Sequence, residues 1–62
     1  MNLDSINSKI LECLQKNARL SNAEIGRRVG ISSPAVSERI KKMEDLGIIE
    51  GYKTIVSPFE IG

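Results

Sequence analysis

Two short helical patterns lie so close together in residues 21–43 that the chain between them must turn sharply. In the first pattern, Ser21 and Glu24 have the S-x-x-E spacing of a capping box, in which each side chain bonds the other residue's free backbone N–H. Gly30 follows where a left-handed residue can end the helix. Pro34 then suits the first turn of a second helix, where no backbone N–H is needed. Two helices joined in this way predict a helix-turn-helix, which inserts its second helix into the DNA major groove.

The start of the second helix and a glycine within the first each leave two interpretations open. Either Ser32 or Ser33 can cap the second helix. Gly26 lies inside the first helix, where glycine costs about 1 kcal/mol relative to alanine. We expect the second helix to approach Gly26 closely, which would leave no space for a side chain. A tolerated surface glycine is the alternative.

Hydrophobic spacing and capping residues divide the whole chain into three helices and one strand. The predicted ranges are 4–16, 22–29 and 33–46 for the helices and 48–57 for a β-branched strand ended by Pro58. The predicted fold is therefore mainly α: a three-helix (winged) helix-turn-helix domain with a C-terminal β-strand. We assign residues 1–47 to the DNA-binding domain and 48–62 to the strand, or wing, and a truncated linker.

Composition restricts both the core and the chemistry of the chain. It has 62 residues, no Trp, one Phe and one Tyr, so we expect a thin aliphatic core with Val36, Ile40 and Met43 facing inward from helix three. The single cysteine, Cys13, cannot form an internal disulfide and is expected to pack in that core. Without His, a metal-ligand cluster or a glycine-rich phosphate loop, we expect no enzyme activity, catalytic residue, metal or cofactor.

The sequence also lacks a signal peptide and a membrane-spanning apolar run, so we expect a cytoplasmic protein with no membrane partner.

Positive charge is concentrated in the middle of the chain. The net charge is only +1, but residues 16–42 hold seven Lys and Arg against two Glu, a balance of +5. The balance is −1 in residues 1–15, from one Lys against two acids, and −3 in residues 43–62, from one Lys against four acids. This distribution favours a nucleic-acid partner over the alternative, a winged-helix protein-interaction module without DNA binding.

The chain resembles the N-terminal DNA-binding domain of the Lrp/AsnC (leucine-responsive/asparagine regulator) family of prokaryotic transcription regulators. The resemblance rests on the strings LDSINSKILECLQKNARLSNAEIGRRVGIS and SPAVSERIKKMEDLGIIEGY and on the Pro near the end. It departs at Asn7, where many members carry Asp, and this change is expected to affect helix-one capping or a local ion pair. The resemblance implies sequence-specific binding of double-stranded DNA. It also implies an α/β domain, absent from these residues, that binds effectors such as amino acids and builds higher oligomers.

The outward side of helix three and the two ends of helix two supply the predicted DNA contacts. Base contacts are expected from the N-terminal part of helix three, where Ala35 can pack on a thymine methyl and Glu38 can accept from cytosine. Arg39 resembles the family's Arg at the same place and can reach a phosphate or guanine. The full predicted set is Ser21, Asn22, Arg27, Arg28, Ser32, Ser33, Pro34, Ala35, Ser37, Glu38, Arg39, Lys41 and Lys42.

Two of these predicted contacts have a simpler alternative. Glu24–Arg28 and Glu38–Lys42 have the i,i+4 spacing of surface ion pairs, which would engage the basic side chains within their own helices.

The predicted strand exposes apolar residues on at least one face, and an edge strand of that kind favours a partner. We therefore expect a homodimer formed through the C-terminal strand, on half-sites about one helical turn apart. Tyr52 is expected to pack or lie at an interface, because a single Tyr and a single Phe give no interleaved stacking platform for single strands.

Overall fold

The computed structural model describes residues 4–56, in which three α-helices are joined by short connections. These helices are α1 (Ser5–Lys16), α2 (Asn22–Val29) and α3 (Ser33–Asp45). The three predicted helices are thus confirmed, with α1 beginning one residue later and α3 ending one residue earlier than expected. Among the described residues, no helix has the length and apolar character needed to cross a membrane.

Each helix begins at a side-chain cap. Asp4, Ser21 and Ser32 are the N-cap residues, and each side-chain oxygen accepts the backbone N–H three positions later, across 2.7, 3.1 and 3.3 Å respectively. Satisfying one of the free N–H groups at a helix start is what makes these residue types good caps. The structure therefore selects Ser32, and not Ser33, as the cap of α3.

Only one half of the predicted capping box is formed. The Ser21 hydroxyl accepts the Glu24 backbone N–H, as expected. The Glu24 carboxylate, however, accepts hydrogen bonds from the Arg27 and Arg28 guanidinium groups instead of the Ser21 N–H. Two charge-assisted bonds are stronger than one bond to a neutral N–H, which explains the departure.

The core is aliphatic and draws on all three helices. Ile10 from α1, Ile25 from α2, and Val36 and Met43 from α3 are each 1% exposed or less. Cys13 is half-buried and packs against this cluster, as predicted. These four residues are the only apolar side chains fully buried within residues 4–56. Because the core is so small, turns and polar contacts also matter for the orientation of α3.

Glycines end α2 and α3. Gly30 has φ +93° and Gly47 has φ +77°, both in the left-handed region that a residue without Cβ adopts freely. The Gly30 N–H donates to the Gly26 carbonyl across 2.7 Å, which closes the last turn of α2. Gly30 therefore has the C-terminal role that the sequence predicts, and Gly47 has the same role at the end of α3.

The predicted β-strand is not formed in the described part of the chain, residues 4–56. Ile48 and Ile49 donate backbone hydrogen bonds to the Met43 carbonyl and pack against the core, and residues 50–56 continue without secondary structure. A strand requires a second extended segment for its ladder, and the rest of the described chain consists of helices and turns. Ser57 and Pro58, the expected end of the strand, lie outside the described residues.

Candidate nucleic-acid interface

The turn between α2 and α3 is held by a close backbone approach. A Cβ atom on Gly26 would lie 2.5 Å from the Ile31 carbonyl oxygen, a distance that requires the backbone to shift. The Ile31 N–H also donates to the Gly26 carbonyl across 3.0 Å. The expected close approach at Gly26 is thus present, but its partner is the turn before α3 and not α3 itself. This packing fixes where α3 starts relative to α2.

The first two turns of α3 present short polar side chains to solvent. Ser33, Pro34, Ser37 and Glu38 are exposed, whereas Ala35 is half-buried. No described side chain forms a hydrogen bond with Ser33, Ser37 or Glu38. A helix start of this kind can enter a groove and donate or accept at base edges.

The cap of α3 lies at the edge of this surface. Ser32 is exposed, and its hydroxyl accepts the Ala35 N–H across 3.3 Å while keeping its own hydrogen to donate.

Lys41 and Lys42 extend the same helix with two exposed ammonium groups. Within residues 4–56, neither lysine forms an ion pair, and the alternative Glu38–Lys42 pair is not formed. Their charges are therefore available to an anionic partner.

Arg27 and Arg28 project from the last turn of α2 and share one carboxylate. Arg28 Nε lies 3.1 Å from Glu24 Oε2, so the predicted Glu24–Arg28 pair is confirmed, and Arg27 Nη2 bonds Glu24 Oε1. The hydrogen bond from Arg27, and next that from Arg28, hold the pKa of Glu24 below its ordinary value. The two arginine side chains remain 69% and 54% exposed. The group thus keeps one net positive charge at the surface.

Ser21 and Asn22 form the N-terminus of α2, the positive end of that helix dipole. Ser21 is exposed and Asn22 is half-buried. Free backbone N–H groups at such a terminus can bind a phosphate oxygen.

Arg39 contacts the start of α1. Its Nη1 atom donates to Asp4 Oδ2 across 2.9 Å and to Asn7 Oδ1 across 3.0 Å, and its side chain is 34% exposed. The backbone N–H of Asn7 first, and then the Arg39 guanidinium, hold the pKa of Asp4 below its ordinary value. This contact is not predictable from the sequence, because no local spacing links residues so far apart in the chain. The only sequence feature that points to this contact is Asn7, which is expected to affect a cap or a local ion pair.

The described residues contain no group of three or more His, Cys, Asp or Glu arranged to hold a metal ion. The exposed face of α3, with its polar side chains and two lysines, is suited to contact an extended anionic ligand.

Comparison with known proteins agrees with this geometry. A family model described as winged helix-turn-helix DNA-binding matches residues 3–50. The HTH-type transcriptional regulator LrpB of Bacillus subtilis is 47% identical over 62 residues, which cover 100% of this chain and 42% of that protein.

Two solved structures are similar in fold and sequence. A transcriptional regulator of Neisseria meningitidis in complex with L-Met superposes with a TM-score of 0.88 and 40% identity, over 97% of this chain and 39% of that one. AsnC of E. coli superposes with a TM-score of 0.83 and 37% identity, over 100% of this chain and 42% of that one. The chain spans less than half the length of these relatives.

The fold, the capped and exposed start of α3 and the family match define a winged helix-turn-helix domain. Its relatives are named as regulators of transcription, a class of proteins that are not enzymes. The chain belongs to the Lrp/AsnC family of transcriptional regulators.

Proposed function

We propose that the chain binds double-stranded DNA sequence-specifically, as the DNA-binding domain of a prokaryotic Lrp/AsnC-type transcription regulator. The observation that carries the proposal is the start of α3, where exposed polar side chains are followed by two lysines that form no ion pair within residues 4–56. Close backbone packing at Gly26 fixes where this helix starts, and a well-positioned helix is needed to contact base edges with side chains as short as Ser33 and Ser37.

The proposed contacts divide into two groups. Base edges are contacted from the first turns of α3, by Ser33, Pro34, Ala35, Ser37 and Glu38, with Ser32 at the edge of this surface. Phosphates are contacted by Lys41 and Lys42, by the Arg27–Arg28 pair and by the helix terminus at Ser21 and Asn22. Roughly four phosphate contacts per copy would give a slope of roughly −4 for log affinity against log salt concentration.

We propose that the domain binds as a homodimer, paired through residues 48–62. The side chains of Tyr52, Ile55 and Val56 are 54%, 94% and 54% exposed, which is unfavourable for apolar groups in water. A second copy of the segment would supply the missing partner for a strand ladder and cover these side chains. The two α3 helices would then reach half-sites about one helical turn apart.

The next proposal concerns a small-molecule effector of a protein that contains this domain. One relative is described in complex with L-Met, and the present chain covers 39% of it. We propose that an amino acid regulates the full protein through residues outside these 62. We infer a cytoplasmic location, because the proposed ligand, prokaryotic chromosomal DNA, lies there.

Fluorescence anisotropy with a labelled duplex pool of random sequence, and a single-stranded control, tests the proposal. A Lys41→Ala, Lys42→Ala variant should weaken duplex binding and reduce the magnitude of the salt slope by about two. Lys9→Ala, Lys16→Ala is the matched control, because it removes the same charge from exposed positions on α1. Equal losses in both variants, or no salt-dependent duplex binding by the wild-type chain, would contradict the proposal.

A further inference from the structure

Arg39 links two helices that are distant in sequence. It lies on α3, about 60° around the helix from the buried Val36 at roughly 100° per residue, and therefore beside the core. Its Nη1 atom donates to acceptors on two residues at the start of α1, Asp4 and Asn7. One guanidinium nitrogen thus spans the gap between α1 and α3.

The acceptor at Asp4 is itself fixed in place. Asp4 Oδ1 accepts the Asn7 backbone N–H across 2.7 Å as the cap of α1, while Oδ2 accepts from Arg39 across 2.9 Å. The carboxylate therefore cannot follow Arg39 if that side chain moves, because movement would break the cap. This contact holds α3 at a set position against α1.

The contact lies where apolar packing is sparse. α3 packs far more extensively against α2 than against α1. Apolar packing therefore does little to prevent α3 from rotating relative to α1. The hydrogen bonds of Arg39 restrain that rotation.

The charge of Arg39 is largely compensated, unlike that of the other basic residues. Asp4 neutralises it one to one, whereas Arg27 and Arg28 share a single carboxylate and the two lysines have none among the described residues. A phosphate approaching Arg39 would also meet the Asp4 carboxylate. Little counterion release, and hence little salt-dependent affinity, is expected from such a site.

We propose that Arg39 is a positioning residue that fixes α3 through Asp4 and Asn7, and does not bind DNA. This inference rests on the proposed DNA-binding function and gives Arg39 a different role from the DNA contact that the sequence predicts. Arg39 thereby determines the angle at which α3 meets the groove.

Asp4→Asn separates the two interpretations of Arg39, because asparagine is as good a helix cap as aspartate but carries no charge. If Arg39 positions α3, the variant should bind duplex about threefold or more weakly, with an unchanged salt slope. If Arg39 binds phosphate, the same variant should bind more tightly with a steeper slope, because the guanidinium is released. Glu12→Gln is the matched control, since it removes one exposed carboxylate from α1 away from this contact.

A rescue variant adds a readout that general damage to the fold would not produce. Asp4→Asn, Asn7→Asp moves the carboxylate to the other acceptor of Arg39 and keeps the net charge. Recovery of wild-type affinity is expected, whereas a further loss would overturn the inference.

The wild-type measurement keeps this inference separate from the function on which it rests. A wild-type chain that does not bind duplex would overturn the proposed function and this inference together. Wild-type binding with a tighter Asp4→Asn variant would overturn the role of Arg39 alone.

Discussion

The hydroxyl of Tyr52 donates a hydrogen bond to Glu44 Oε2 across 2.9 Å. Glu44 lies in the last turn of α3, so this bond ties the extended segment after α3 to the helix proposed to read DNA. Partial desolvation of Tyr52, which remains 54% exposed, and secondarily the hydrogen bond and negative charge of Glu44, raise the pKa of Tyr52 above its ordinary value of 10.0. The ionisation of this tyrosine therefore reports whether the segment is docked.

Glu44→Gln should lower the pKa of Tyr52 but leave it above the ordinary value, because the effect of burial remains. The pKa is raised in the folded state, so the linked stability is complete below pH 10.0 and is lost as pH rises through the folded pKa. Ultraviolet absorbance can follow the titration, since Tyr52 is the only tyrosine and Trp is absent. Glu50→Gln is the control, and an equal shift in that variant would show that no specific contact with Glu44 exists.

Gly26→Ala should destabilise the domain by about 1–3 kcal/mol, the range seen when a group is forced into packed space. The added methyl would lie 2.5 Å from the Ile31 carbonyl oxygen, and a backbone atom cannot move aside as a flexible side chain does. Urea unfolding measures the free energy. Gly51→Ala provides the control, because among residues 4–56 no atom beyond its chain neighbours lies within 4 Å of its Cβ position, and its effect should stay within about 0.5 kcal/mol. Similar costs at both positions would contradict the steric explanation.

Local signals in the sequence predicted the helices because their determinants are local. Asp4 and Ser21 bond N–H groups three residues away, and Gly30 needs only its own φ to end α2. The Glu24–Arg28 ion pair is predictable for the same reason, because its two residues are only four positions apart.

Features that depend on distant residues could not be predicted in this way. Arg39 bonds acceptors more than 30 residues earlier in the chain, and no periodicity encodes that contact. β-Branched composition predicts a strand at 48–57, but composition does not supply a second strand for the hydrogen-bonded ladder. The predicted bond from the Ser21 N–H to the Glu24 carboxylate is also not formed, because that carboxylate bonds two arginines on its own helix.

The two serines before Pro34 should differ sharply in their contribution to stability. Ser32→Ala removes the hydroxyl that accepts the Ala35 N–H and should cost about 1 kcal/mol, as for other N-cap substitutions. Ser33→Ala, one residue along the helix, should change stability by less than about 0.5 kcal/mol, because its side chain has no described partner. Thermal unfolding of the two variants side by side measures the difference. A larger loss for Ser33→Ala would move the cap to that residue.

Glu24→Gln should strengthen duplex binding and steepen its salt dependence. The Glu24 carboxylate now engages both Arg27 and Arg28, and without its charge the two guanidinium groups are available to phosphates. Because their hydrogen bonds keep the pKa of Glu24 below 4.5, the carboxylate is ionised at neutral pH and its effect is present throughout the assay. The magnitude of the salt slope should rise by up to about one, because the carboxylate neutralises one of the two arginine charges, and anisotropy over a salt series measures the change. Glu12→Gln controls for the general change in charge, since it releases a lysine on α1 instead. Weaker binding by Glu24→Gln would mean that Glu24 orients the two arginines for phosphate contact and does not compete for them.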